Sequence, residues 1–186
     1  MFHLRCRQLS ALLFLSCGLA AAQPAPDSWE SLMKAGDAAR KAREYKKADT
    51  LYQAGLEAAR KQGPSNTNIA TTLVALASMY EEAGNHSQIE ILYKLAVAID
   101  EKGQGKEHPA VAARLSALAQ YYENRARYAD AEPLLKRAVA IGVNSPGAEK
   151  TDLAKVLVQY ASVLRKLNRN EEAAKLTARA ATLRGR

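Results

Sequence analysis

The chain matches itself when it is shifted by 42 residues, and this self-similarity limits its fold more than any other property. Leu73, Leu76, Ala77 and Tyr80 fall on Leu115, Leu118, Ala119 and Tyr122, and a second shift reaches Leu157, Tyr160, Ala161 and Leu164. The segments that follow also align: Ile89, Tyr93 and Ala96 fall on Ala131, Leu135 and Ala138, then on Ala173, Thr177 and Ala180. A fourth copy lies upstream at a shift of 41, with Leu32, Ala35, Gly36 and Ala39 followed by Ala48, Tyr52 and Gly55. Copies of this length stack side by side, each burying an apolar face on its neighbour.

The spacing inside a copy predicts two amphipathic helices. Leu115, Leu118, Ala119 and Tyr122 share one helical face, and Ala131, Leu134, Leu135 and Ala138 share another. Polar stretches such as "ENRARY" and "EEAGNH" separate the two helices. Breakers separate the copies: Gly63-Pro64, Gly103 and Gly105 with His108-Pro109, and Ser145-Pro146-Gly147. Breakers at a regular period argue against a long coiled coil. Two helices at their closest approach leave no room for a branched side chain. Gly36, Ala77, Ala119 and Ala161 are therefore expected at the crossings, facing Ala48, Ala131 and Ala173 from the second helices. Pro133 is expected in or just past the first turn of its helix, where a missing N–H costs little.

This pattern resembles the tetratricopeptide repeat. The 42-residue period, and "HPAVAARLSALAQYYENRARYADAEPLLKRAVAI" in particular, resembles its longer kinesin-light-chain form. The resemblance implies an all-α fold, a right-handed α-solenoid of about four antiparallel helix hairpins. It implies repeats at about 28–63, 66–105, 108–147 and 148–186. It also implies a concave face, built from the first helix of each repeat, that binds protein segments or peptides. Two departures stand out. Ile89 replaces the small residue, so the second hairpin is expected to open slightly. Kinesin-light-chain repeats often place asparagine just before the Leu-Ala pair, where this chain has Ala75, Ala117 and Gln159.

The candidate binding row lies one step around the first helices from the core face. It comprises Asp37, Arg40 and Lys41; Ser78, Glu81 and Glu82; Ser116, Gln120, Glu123 and Asn124; and Gln159, Ser162, Arg165 and Lys166. Cations stand at both ends and acids in the middle, a pattern suited to charge-assisted bonds at the ends of a bound segment. Trp29 is expected to cap the first repeat. Glu172, Lys175 and Arg179 give the last helix an outward polar face, where the array is expected to stop.

Residues 1–22 read as a signal peptide, with Arg5 and Arg7, an apolar run from Leu9 to Leu19, and Ala20-Ala21-Ala22 at the cut. Residues 23–27 make a short polar leader. The expected destination is the periplasm. The alternative is a lipid-anchored structural scaffold of the bacterial envelope, because Phe14-Leu15-Ser16-Cys17 resembles a lipoprotein box; only then would the chain hold to a membrane. Both cysteines, Cys6 and Cys17, lie in this segment. The formal charge of +8 is spread over helix faces instead of forming a basic stripe, so a nucleic-acid partner is not expected.

Nothing in the sequence assembles a catalytic centre. His86 and His108 stand far apart without acidic partners at metal-ligand spacing, so no metal or other cofactor is expected. His86 is expected to pack in the core or the bend, and His108 to start a helix. Glycine-rich phosphate loops and nucleophile elbows are absent. The sequence therefore points to a protein or peptide partner and away from enzymatic activity.

Overall fold

Eight helices follow one another along residues 28–145 and 150–184, the parts of the chain that the computed structural model describes. They are α1 (Trp29–Lys41), α2 (Tyr45–Arg60), α3 (Thr67–Glu82), α4 (Ile89–Gln104), α5 (Pro109–Glu123), α6 (Tyr128–Asn144), α7 (Lys150–Lys166) and α8 (Asn170–Arg184). Consecutive helices pack as antiparallel hairpins, and each hairpin stacks on the next. The expected signal peptide, its leader and both cysteines lie outside the described residues. Among the described residues, no helix is long and apolar enough to cross a membrane.

The two kinds of helix start differently. The first helices of three repeats begin at side-chain caps. Ser28 Oγ accepts from Ser31 N at 3.2 Å, Asn66 Oδ1 from Asn68 N at 2.8 Å, and His108 Nδ1 from Ala110 N at 3.2 Å, with Pro109 in the first turn. The second helices α2, α4 and α6 have no such cap. They emerge from bends of one design. Arg43, Gly84, Ala126 and Asn168 occupy the same place in the four copies, and all adopt positive φ, between 55° and 74°. The next amide then reaches back to a carbonyl of the finished helix: Glu44 N to Ala39 O, Asn85 N to Tyr80 O, Arg127 N to Tyr122 O and Arg169 N to Leu164 O, at 2.8–2.9 Å. This is the Schellman closure, which satisfies carbonyls that a helix end leaves open.

The small residues do meet at the crossings. Ala48, Ala77, Ala119, Ala131, Ala161 and Ala173 are completely buried. A Cβ on Gly36 would stand 2.6 Å from the Tyr52 ring, so in the first repeat even alanine is too large. Ile89 marks a specific difference in the second repeat. Ile89 is fully buried, and residues 86–88 fail to join the helix, so α4 starts three residues later than its counterparts. The larger side chain still takes the core position, at the cost of one helical turn. His86 therefore sits exposed in the bend, its Nδ1 2.8 Å from Arg125, and takes no part in the core. Pro133 lies one turn further into α6 than the first, but it is exposed, so water can serve the carbonyl it leaves open.

A polar lock repeats on three second helices, one residue past the buried Ala48, Ile89 and Ala131. Asp49 accepts from Tyr80 of the following repeat at 2.7 Å. Glu90 accepts from Tyr122 at 3.0 Å and from Arg127 at 2.8 Å. Glu132 accepts from Tyr160 and Arg169. Lys94 within α4, helped by Arg127 and Tyr122, outweighs burial and holds the Glu90 carboxyl down at about 2. These bonds tie each repeat to the next.

Candidate binding groove

The first helices form one wall. α1 packs on α3 and α5 on α7, and side-chain bonds span neighbouring first helices. Thirteen of the fourteen residues of the candidate row lie in these helices and Asn124 is the C-cap of α5, yet most of them already hold one another.

Asp37 accepts from Tyr52 at 2.6 Å, and the equivalent Ser78 pairs with Tyr93 at 3.1 Å. Arg40 reaches across to Glu82 at 2.7 Å. Glu81 receives Asn124 at 3.1 Å and Arg125 at 3.0 Å. Gln120 donates to Asn124 at 3.1 Å within α5. Gln159 accepts from Ser116 Oγ and gives its amide hydrogens to Ser116 O and to Glu123, the last at 2.8 Å. Arg165 turns to Thr177 of α8 at 2.8 Å. Lys41 and Lys166 are exposed at opposite ends of the row, and Ser162 is half-buried between α7 neighbours.

The mid-row acids are thus matched from inside the protein. Arg125 was missed by the sequence pattern because it stands in the bend, outside the helical periodicity. In the structure it lies over the Tyr121 ring, 3.9 Å from the centroid, and reaches back to Glu81. Glu123 differs from Glu81 and Glu82 in having only the neutral Gln159 amide as partner. Burial pushes its carboxyl above the usual range, and the Gln159 bond only partly offsets this.

Below the row, three equivalent spaces separate the repeats. Between the first and second, Trp29 fills the space and donates from Nε1 to Thr72 Oγ1 at 2.8 Å, with Met33 beside it. Trp29 thus packs between the first two repeats, in place of the cap expected over the first. Between the second and third, Arg114 fills the space. It donates to the fully buried Asp100 at 2.8 Å and to Thr71 at 2.7 Å, and Thr67 completes Asp100 at 2.9 Å. Between the third and fourth lies a cavity of about 390 Å³. Sequence reasoning passed over this layer because its occupants share no residue type. Among the described residues, no group of histidine, cysteine and acidic side chains could hold a metal.

Comparisons with known proteins agree with this geometry. The tetratricopeptide-repeat pattern matches twice, over residues 30–102 and 111–144. Among solved structures, BtubC (BKLC) from P. vanneervenii is similar with a TM-score of 0.75 at 19% identity, over 84% of this chain. The match spans 63% of that protein's length. A Podosopora anserina protein of kinesin-light-chain type, with nearly identical TPR-like repeats, is similar with a TM-score of 0.70 at 20% identity, over 88% of this chain and 78% of its own. A glutamine-to-methionine variant of that protein matches with a TM-score of 0.71 at 20% identity, over 86% of this chain and 76% of the variant. At these identities the likeness shows the fold, an all-α solenoid of helix hairpins. A comparison with curated proteins gives no match. Repeats of this kind typically serve as protein-interaction modules. With the pattern matched over both stretches and four stacked hairpins in place, this chain is a tetratricopeptide-repeat protein.

Proposed function

We propose that the chain is an exported, periplasmic interaction module that holds an extended protein segment along its inner wall and does no chemistry on it. One observation carries this reading. Lys41 and Lys166 are exposed at the two ends of the row and have no ion-pair partner among the described residues, while the side chains between them are short or already bonded. A segment with acidic residues near both ends would reach both ammonium groups, and the exposed Gln120 and Asn124 would remain for its backbone. Export rests on the leader alone, on Arg5, Arg7 and the apolar run before Ala20-Ala21-Ala22.

Affinity capture from envelope extracts tests the reading, with wild type set against Lys41→Glu plus Lys166→Glu. Loss of captured proteins is expected, and an identical set would overturn the groove. Glu81 is a poor target, because replacing it strands Arg125 between two repeats. The bonding of the row across repeats also suits the second reading, a lipid-anchored scaffold in which the solenoid acts as a spacer. A mature start at Gln23 supports the module, and a lipid-modified Cys17 the scaffold.

A further inference from the structure

The four second helices can be compared position by position on the side that faces away from the inner wall. Ile91, Leu95 and Ala98 form one exposed stripe of α4. Ile91 is 65% exposed and Leu95 44%. The equivalent residues are Thr50, Ala54 and Glu57 in α2, Pro133, Arg137 and Ala140 in α6, and Lys175, Arg179 and Thr182 in α8. At these positions α4 alone turns large aliphatic side chains to water. The core does not need them, because Ile89, Tyr93 and Ala96 fill it from the opposite face.

Charge around the stripe is sorted. The acids of α4 are engaged with neighbouring repeats: Glu90 with Tyr122 and Arg127, Asp100 with Arg114, and Glu101 with Arg137. Its cations stay outside. Lys94, next to Leu95, bonds Glu90 at 2.6 Å yet keeps 58% of its side chain exposed. Lys102, one turn past Ala98, is exposed and has no ion-pair partner among the described residues. Lys136 of α6, the equivalent of Lys94, is exposed as well. The exposed acids of the flanking helices, Glu57 and Asp130, are each held by an arginine, Arg60 and Arg127, at 2.6 Å. Neighbouring first helices touch, α1 with α3 and α5 with α7, and no comparable packing joins the second helices. The second helices therefore spread apart on the convex side, where a flat surface meets the array near its middle, at α4 and α6.

We propose that the outer face of α4 docks on an anionic lipid surface, with Ile91 and Leu95 entering the headgroup layer and Lys94, Lys102 and Lys136 on the anionic headgroups. Charge and area select this occupant. A second copy brings the same lysines against one another, and so small a patch covers far less than the roughly 1,200 Å² of a stable protein interface. The stripe is the crest of a helix and offers a peptide no groove, whereas a fluid bilayer surface moulds around it. This face lies opposite the inner wall, so neither reading depends on the other.

The test uses the full chain carrying Cys6→Ser and Cys17→Ser, which frees one introduced cysteine for a nitrobenzoxadiazole label. The label is placed by Ala98→Cys or, as a control, by Thr182→Cys at the equivalent position of α8. Vesicles are phosphatidylcholine with or without three parts in ten of phosphatidylglycerol. With phosphatidylglycerol, the label at position 98 should shift to the blue and be quenched by spin-labelled lipid. The response should be at least about fivefold weaker on neutral vesicles, fade at high salt, and be small at position 182. Ile91→Thr plus Leu95→Ala gives α4 the residues of α2, and Lys102→Glu reverses one charge. All three side chains are exposed, so helical circular dichroism should be unchanged, while the response at position 98 falls at least about fivefold. Attachment through the leader alone would carry both labels to the vesicle alike. Equal responses at positions 98 and 182, equal responses on neutral vesicles, or an unchanged response in Ile91→Thr plus Leu95→Ala would overturn the lipid site. A blue shift at position 98 that grows with protein concentration in the absence of vesicles would overturn it in favour of a second copy. None of these results bears on capture through Lys41 and Lys166.

Discussion

The second and third junctions of the solenoid occupy the same place in consecutive repeats and are filled in opposite ways. One holds a buried ion pair, Asp100 with Arg114, closed by Thr67 and Thr71. The other is open, lined by Ala112, Ala138, Gly142, Leu153 and Val156 together with the polar Ser116, Asp152 and Lys155. In both, a second helix packs on the first helix of the next repeat, α4 on α5 and α6 on α7. The buried alanines close each hairpin, and the tyrosine–carboxylate locks tie one repeat to the next. The layer between them varies from one junction to the next.

Four experiments press on this comparison. The largest effect is expected from Arg114→Ala. It leaves Asp100 buried without its cation and should cost about 3–5 kcal/mol in urea unfolding. Val156→Ala, at the equivalent place, has no charge to strand and should cost far less. Comparable losses would mean that the plug contributes by volume alone.

Next comes added bulk. Ala119→Leu forces a branched side chain into the crossing with Ala131 and should cost about 1–3 kcal/mol. Val156→Leu adds its methylene toward the cavity and should change stability by no more than about 0.5 kcal/mol. Equal costs would show that the space is not accessible from that side chain.

The bends of the same two repeats give a smaller test. Gly84 and Ala126 hold the same left-handed conformation, which an L-residue with a Cβ disfavours. Ala126→Gly should stabilise the third repeat by about 1 kcal/mol, and Gly84→Ala should cost the second a similar amount. No change on either substitution would mean that the bend relaxes when its residue is exchanged.

The smallest effect separates the carboxylates at the two junctions. Glu81 has Arg125, whereas Glu123 has only an amide and a raised pKa. An acid whose folded pKa lies above its unfolded value contributes stability while protonated, and that contribution is lost as pH rises through the folded pKa. Glu123→Gln should therefore raise the melting temperature at pH 7 and leave it unchanged near pH 4. Glu81→Gln should lower it at pH 7. A Glu123→Gln shift of the same size at both pH values would assign the effect to packing.

The inner row shows why a candidate site can be legible in position and illegible in state. Helical periodicity put Glu81, Gln120 and Gln159 on one wall, and they are there. It could not say that they are already bonded, because several of the partners lie a full repeat away and one of them, Arg125, stands in a bend with no periodic signal.

The sequence by itself determined four copies, two helices in each, the helix faces, and the crossings at Gly36, Ala77, Ala119 and Ala161. These follow from local spacing and side-chain volume, which read out along the chain. Tertiary structure alone decided three other features. Ala126 and Arg43 take a glycine-like conformation because the returning helix demands it. Ile89 moves the start of α4 because the core has no other room for it. The third junction stays open because Gly142, Ala112 and Val156, ordinary one by one, face the same space. Volume left over between helices is a property of three elements at once, and no single stretch of sequence records it.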